Sequence, residues 1–210
     1  MNTEINTLIK EIKFMSKILV QIGSAEGNDH VTEIIKENKN IIGILVEPNP
    51  TNFLLLKENY KNIKNLFFEN LAISTKNSEI NLYVEPGEIS HHGSINYNHL
   101  IMHDHNPKGI KTLKVQAITL QTLLDKYNLT EHIVDYLFMD TEGHDCDIIL
   151  NTDFSKFKIK NICFESFHAD GPFKQGIKLI KTINHLEEYG YKVDTNKNIP
   201  WSMWMYKDFL

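Results

Sequence analysis

Four apolar runs in this chain, each too short for a helix, stop on a glycine or a carboxylate. Lys17–Ile22 stops before Gly23, Ile41–Val46 before Glu47, 134–139 before Asp140, and 162–164 before Glu165. Short continuous apolar runs of this kind read as strands buried on both faces. Helical spacing fills the gaps between them. It groups Val31, Ile34 and Ile35, then Phe53, Leu56 and Tyr60, then Leu120, Leu123, Leu124 and Tyr127, and finally Phe173, Ile177, Ile180, Ile183 and Leu186. Ile5, Leu8, Ile9 and Ile12 predict a further amphipathic helix over 3–14. Strands alternating with helices make an α/β chain with a mostly parallel sheet and helices on both faces. Right-handed crossovers then collect Gly23, Glu47, Asp140 and Glu165 at one edge, where open α/β sheets bind ligands.

Punctuation agrees with this frame. Asn28 or Asp29 can cap the first of these helices, Pro50 suits the first turn of the next, and Gly190 suits a C-terminal cap. Shorter strands are expected at 66–68, 80–84, 191–193 and 201–206. A length of 210 residues supports one domain with a full core. Residues 85–111 break the pattern. They are polar and aperiodic, and a long excursion inside a compact domain is usually functional; a lid or substrate loop is expected there.

The charge balance narrows the partners. The formal net charge is −5 and every basic residue is lysine. Nucleic-acid readers lean on a basic face and arginine forks, so no nucleic-acid partner is expected. No apolar run approaches a membrane span, and Met1 to Ile5 does not open a secretory signal; no membrane partner and a cytoplasmic location are the expectations. Cys146 and Cys163 lie in apolar surroundings and read as buried thiols of a reducing compartment.

Gly23-Ser24-Ala25-Glu26-Gly27 followed at the next strand end by Glu47 is the pattern of a nucleoside site. The loop lets backbone approach the ligand, and the acid accepts hydrogen bonds from ribose hydroxyls. The tight glycine triplet of a dinucleotide site is missing, which counts against a nicotinamide-dependent oxidoreductase. A non-catalytic nucleoside-ligand-binding domain is the other alternative. Further along, Asp140 and Glu142 come off one strand together. Two close acids can push their pKa values apart and leave one suited to accept a proton. The same residues also fit a helix start, with Asp140 or Thr141 as cap and Glu142 in the first turn.

Taken in order, Val20-Gln21-Ile22-Gly23-Ser24-Ala25-Glu26-Gly27-Asn28, Val46-Glu47-Pro48-Asn49-Pro50, Asn70-Leu71-Ala72-Ile73-Ser74, Gly93-Ser94-Ile95, Ile118-Thr119-Leu120, Met139-Asp140-Thr141-Glu142-Gly143-His144-Asp145, Phe164-Glu165 and Tyr189-Gly190-Tyr191 resemble the FkbM-type S-adenosylmethionine-dependent methyltransferases. The Glu-Pro-Asn-Pro and Asp-Thr-Glu-Gly segments are the specific parts. The resemblance implies a class I methyltransferase (Rossmann-like) fold, a seven-stranded sheet whose last strand is antiparallel. It implies S-adenosyl-L-methionine as cofactor and O-methyl transfer to a hydroxyl of a sugar or another small metabolite. Carried over, Gly23, Ser24 and Gly27 would pack against the methionine part and sugar of the cofactor, and Glu47 would hold both ribose hydroxyls. Asn70, Leu71 and Ala72 would frame the adenine, Ser94 would face the cofactor from the excursion, and Asp140 would lie near its amino group or the acceptor. The chain departs from the family at Gln21, where an acid is usual. Gln21 brings no negative charge towards a sulfonium, so a lower cofactor affinity is expected.

A hydroxyl acceptor must lose a proton, and Asp140, Glu142, His144 and His168 are the candidate bases. His168, just beyond Glu165, is the leading histidine. His91, His92, His99, His103 and His105 crowd the excursion. Their spacings match no recognised zinc pattern, so no metal is expected.

Overall fold

The computed structural model describes residues 17–38, 40–87, 89–103 and 106–209; the helix expected over 3–14 lies outside them. The elements follow in the order β1 (Lys17–Ile22), α1 (His30–Glu37), β2 (Ile41–Val46), α2 (Pro50–Asn59), β3 (Leu66–Glu69), β4 (Ala72–Ile73), β5 (Ser78–Val84), α3 (Tyr97–Met102), β6 (Lys111–Ile118), α4 (Leu120–Lys126), β7 (Ile133–Met139), α5 (Asp145–Leu150), β8 (Lys158–Glu165), α6 (Ile177–Glu188), β9 (Lys192–Val193) and β10 (Ser202–Tyr206).

Seven strands form the main sheet in the order β3-β2-β1-β7-β8-β10-β9. Neighbours from β3 to β8 are parallel, and β10 runs antiparallel to both β8 and β9. Register decides what meets at the edge. Ile22 pairs with Val46 on one side and Met139 on the other, and Met139 pairs with Phe164. Gly23, Glu47, Asp140 and Glu165 therefore sit side by side at or just beyond the ends of adjacent strands.

The central strands β1 and β2 are almost wholly buried because the sheet is covered on both faces. Ile18, Val20 and Ile22 of β1 pack with Leu120, Leu123 and Leu124 of α4, Ile148 and Ile149 of α5, and Leu179 and Leu186 of α6. Leu19, one residue out of phase, packs on the opposite face with Val31 and Ile35 of α1 and Leu56 and Tyr60 of α2. Each such aliphatic side chain contributes roughly 1.5–3 kcal/mol on burial. Asp29 caps α1, accepting from the Val31 and Thr32 N–H groups, while the Thr32 hydroxyl accepts from the Asp29 N–H in return. Asn49 caps α2 with Pro50 at its first position. Both cysteines are buried and unbridged.

Three expectations need correction. First, the run at 80–84 belongs to β5, which leaves the main sheet and joins a second, three-stranded sheet in the order β4-β6-β5. Its partner β6 shows no apolar run in the sequence because lysines and a glutamine interrupt it; only Val115 and Ala117 are buried, in strict alternation. The excursion is the connection of this antiparallel β5–β6 pair, and it holds α3 and one 3-10 turn at Pro107–Gly109. Second, the apolar set at 173–186 does not form one buried stripe. Phe173 precedes α6, while Ile177 and Ile180 are 70% and 58% exposed. Asp170 accepts from the N–H groups of Lys178 and Leu179 at 2.7 and 3.1 Å. That cap starts the helix late, and the inner face carries Leu179, Thr182 and Leu186. Third, the N-cap of α5 is His144, not Asp140 or Thr141. Asp145 folds back instead, accepting from the Thr141 N–H at 2.9 Å and the Glu165 N–H at 2.8 Å. Gly190 follows the end of α6 at φ +86°, as a C-terminal glycine should.

Candidate active site

A cleft of about 480 Å³ opens over the row of strand ends, within the range of small-molecule sites. Gly23, Ser24, Glu47, Leu71, Ala72, Asp140, Glu142 and His144 line it. Gly23 is obligatory: its φ is +78°, and a Cβ there would stand 1.8 Å from the Asp140 carbonyl oxygen. The Gly23 and Ser24 N–H groups both donate to the Val46 carbonyl, at 3.0 and 3.1 Å, which folds the loop across the end of β2.

Glu47 is buried and held at both oxygens. Oε2 accepts from the Ala25 N–H and Oε1 from the Asn49 N–H, each at 2.8 Å. Each oxygen of a carboxylate has a second acceptor site, so the group presents a fixed pair of acceptors to the cleft. Burial pushes its pKa up from 4.5 to about 8 against the pull of the two N–H donors. The remaining expected cofactor residues lie one step back. Asn70 Nδ2 donates to the carbonyls of Glu47 and Pro48 at 2.9 and 3.2 Å and braces that loop. Gly27 faces Leu56 and Tyr60, where a Cβ would come within 2.3 Å of the tyrosine ring. Ser94 is buried and donates to the Glu142 carbonyl at 2.8 Å.

Gln21 is buried and stands outside the cleft lining, and its Nε2 donates to Asp29 Oδ2 at 2.6 Å. Asp29 itself lines the cleft. The negative charge missing at position 21 thus stands on the side chain that Gln21 holds. Sequence reasoning saw Asp29 only as a helix cap; its pairing with a buried strand glutamine eight residues earlier was the available signal.

The edge is crowded with carboxyl groups that hold their protons more tightly than usual. Asp140 is exposed in the cleft, yet desolvation by the protein packed around it and the charges of Glu142, Asp145 and Asp29 hold its carboxyl above the usual range. Burial with Asp145 and Glu85 nearby pushes Glu142 up to about 8. Glu165 is pushed up to about 10 by burial and by Asp140, Asp145 and Glu142. Among the described residues, the cleft lining includes no lysine, so it suits a cationic ligand and opposes a pyrophosphate.

A second pocket of about 360 Å³ adjoins the first and shares Ile95 and His144 with it. Tyr83, Asn96, Tyr97, Asp147 and Lys178 give it aromatic and polar walls. His144 stands at the junction. Its Nδ1 lies 3.4 Å from Asp147 Oδ2 and its Nε2 3.3 Å from Ser74 Oγ. His168 lines the second pocket rather than the first. It is buried, its Nδ1 accepts from the Phe173 N–H at 2.9 Å, and its Nε2 lies 3.3 Å from Glu165 Oε1. Burial and the neighbouring His99, His103 and His92 lower its pKa to about 4.

The excursion forms one wall of the first cleft through Ser90, His91, His92, Gly93 and Ile95. A reciprocal amide pair ties it to α2: Asn52 Nδ2 donates to the Ser90 carbonyl at 2.6 Å, and the Ser90 N–H donates to Asn52 Oδ1 at 3.3 Å. Glu85 closes the turn, accepting from the His91 and His92 N–H groups at 2.7 and 3.0 Å.

Counted among themselves, the seven strands run 3-2-1-4-5-7-6 with the last antiparallel, and the cleft lies at their carboxyl ends: this is the class I methyltransferase fold. The family model described as "Methyltransferase FkbM domain" matches residues 21–193. The chain belongs to that family and is an S-adenosylmethionine-dependent methyltransferase. Similar solved structures include precorrin-6y C5,15-methyltransferase from Geobacter metallireducens GS-15, at 15% identity over 97% of this chain and 87% of that one, TM-score 0.48. Aeropyrum pernix fibrillarin with natively bound S-adenosyl-L-methionine matches at 12% identity over 92% and 67%, TM-score 0.44. M. capricolum TrmK with S-adenosyl-homocysteine matches at 12% identity over 99% and 70%, TM-score 0.44. The family match carries the assignment. A search of curated proteins returned no significant match. Among the described residues, no helix is long and apolar enough to cross a membrane.

Proposed function

We propose that the chain is a single-domain O-methyltransferase that methylates a hydroxyl of a small acceptor, a sugar being the best fit, with His144 as the general base. The observation that carries this is the position of His144 between the two pockets, with Asp147 at one ring nitrogen and a hydroxyl, Ser74 Oγ, at the other. An imidazole oriented by a carboxylate at Nδ1 keeps Nε2 for a proton. In this reading Glu47 takes the ribose hydroxyls, Leu71 and Ala72 flank the adenine, Gly23 and Ser24 meet the methionine part, and Asp29 and Asp140 face its positive charge. Asn70 and Ser94 act as braces, on the Glu47 loop and on Glu142.

The bound cofactor supplies an electrophilic methyl group on a sulfonium sulfur. His144 would take the proton of the acceptor hydroxyl as the methyl group passes to that oxygen, the sulfur keeping the S–C electron pair and leaving as the neutral thioether. Tyr83 and Tyr97 offer faces to a sugar ring, and Asn96, Asp147 and Lys178 offer partners to its hydroxyls. The excursion at 85–111 acts as the lid that excludes water. Holding both reactants in line supplies several kcal/mol of the barrier reduction.

The test is a panel of sugars and other small hydroxyl compounds, with amines and thiols beside them, scored by mass spectrometry for S-adenosylhomocysteine and a methylated product. A hydroxyl acceptor is expected. His144→Ala should keep S-adenosylhomocysteine affinity and lose about 10²–10⁴-fold in kcat. Methylation of amines or thiols alone, or full turnover by His144→Ala, refutes the reading.

A further inference from the structure

In the wall of the proposed acceptor pocket, three imidazoles and a carboxylate converge from three segments. His99 stands on α3, His103 is the residue that ends it, Glu142 follows β7, and His168 follows β8. One ligand atom from each lies within 4.8 Å of every other. The ring centroids of His99 are 4.6 Å from those of His103 and 4.5 Å from those of His168, and His103 lies 5.2 Å from His168. His99 Nε2 meets Glu142 Oε2 at 2.7 Å. His99 is 1% exposed and His168 4%.

We propose that His99, His103, Glu142 and His168 bind one divalent transition-metal ion of the zinc class, which fastens the excursion to the sheet edge. Imidazole nitrogen and carboxylate oxygen are the donors such an ion takes, and four of them complete a tetrahedral shell. Bonds of about 2.0–2.1 Å put tetrahedral ligand atoms about 3.3 Å apart. The widest pair here must close by roughly 1.5 Å, a shift that side-chain rotation supplies. His99 and His103 are four residues apart, the helical spacing that brings two imidazoles to one face.

Backbone and outer partners suit the role. Glu142 adopts φ +54° and Gly143 φ +93°, a left-handed turn that costs energy for a glutamate and turns the chain between the cleft and the imidazoles. Ser94 Oγ fixes the Glu142 carbonyl. Glu165 Oε1, 3.3 Å from His168 Nε2, is the carboxylate partner that sets the tautomer of a ligating imidazole. Ligation through His168 Nδ1 exchanges the Phe173 N–H for the ion, and Phe173 lies on a loop with its side chain 46% exposed. With four protein ligands no open position remains, so the ion is structural: it orders the wall shared by the two pockets and activates no hydroxyl. The site stands on geometry independent of methyl transfer.

The test strips the purified full chain with a chelator and titrates it with Co²⁺, then displaces the Co²⁺ with Zn²⁺. Expected are one ion per chain, the visible absorption of a tetrahedral cobalt site, a higher Tm, and slower proteolysis of the excursion. His103→Ala and Glu142→Gln should each weaken binding by more than about 100-fold, the upper end of what losing an outer partner costs. His30→Ala, whose ring packs on Phe138 and is not part of the cluster, should bind normally. His99 is buried, so circular dichroism accompanies His99→Ala, and the half-buried His103 serves as the second variant. Absence of a tetrahedral spectrum in the folded wild-type chain overturns the proposal, as does a site that survives both histidine substitutions. S-adenosylhomocysteine calorimetry on the same samples tests the cofactor cleft separately.

Discussion

Replacing Glu47 by glutamine tests the cofactor site at one atom. Both carboxylate oxygens already accept a backbone N–H at 2.8 Å, from Ala25 and Asn49. A glutamine keeps one oxygen; its NH₂ must face the other N–H, donor against donor. The variant therefore loses one backbone bond, one ribose acceptor, and the charge that strengthens the other. A hydrogen bond to a charged group is worth about 1.5–3 kcal/mol and a neutral one about 0.5–1.5. The summed loss in binding is about 2–4 kcal/mol, or roughly 30- to 1000-fold in Kd. Calorimetry with S-adenosylhomocysteine measures it, with thermal unfolding as the check on folding. The pH dependence adds an independent arm. Burial raises Glu47 from 4.5 to about 8 in the free protein, and ribose hydroxyls donate to the ionised form. Binding below pH 8 must release a proton, so affinity climbs by up to about tenfold per pH unit and levels off above it. Adenosine, which does not titrate in this window, is the ligand for that arm, and Glu47→Gln should show a flat profile. For folding the sign is opposite. The raised pKa contributes stability that is fully present below 4.5 and is lost as the pH rises through about 8. A Glu47→Gln protein with normal melting and an affinity within about threefold of wild type would refute the reasoning.

Gln21→Glu, which introduces the acid usual in the family, should destabilise this chain by about 1–3 kcal/mol at neutral pH, because it sets a carboxylate against Asp29 Oδ2 where a donor stood at 2.6 Å. The new acid would have a raised pKa, so the loss should appear as pH rises and fade below about pH 4; thermal unfolding across pH reads it. Gly23→Ala should abolish S-adenosylhomocysteine binding or folding, since its Cβ would stand 1.8 Å from the Asp140 carbonyl oxygen; a variant that binds normally in calorimetry contradicts the loop geometry. Asn52→Ala removes both bonds that tie the excursion to α2, about 1–3 kcal/mol in all. It should speed hydrogen exchange at 89–95 and raise the acceptor KM more than it lowers kcat.

Strands covered on both faces are legible in the sequence, since β2 is an unbroken apolar run, β1 is broken only by Lys17 and Gln21, and their ends fall where register requires. β6 is not, because a strand exposed on one side shows only alternation, and Lys111, Lys114 and Gln116 hide a pattern of two buried positions. The face of α6 depended on where the helix starts, and Asp170 decides that from outside it. The histidine cluster was the hardest to read. His99 and His103 share a face only if 97–102 is a helix, and a helix of 6 residues is too short to show a period. Glu142 and His168 join them only through the sheet register and a left-handed turn.

The row of strand ends also explains why a methyl donor of this kind belongs here. Asp29, Glu47 and Asp140 face the cleft, with Glu142 beside them and Glu165 behind. Crowding acids in a low-dielectric edge is costly in the free protein, and the raised pKa values of Glu47, Asp140, Glu142 and Glu165 express that cost. A ligand that brings a positive charge into the row relieves it, and a ligand that brings a pyrophosphate worsens it. S-adenosylmethionine carries its charge at the sulfur that reacts. Once the methyl group has left, the thioether product is neutral there and loses that part of the attraction. On the proposed reading, this row of acids holds the charged donor more tightly than the neutral thioether product.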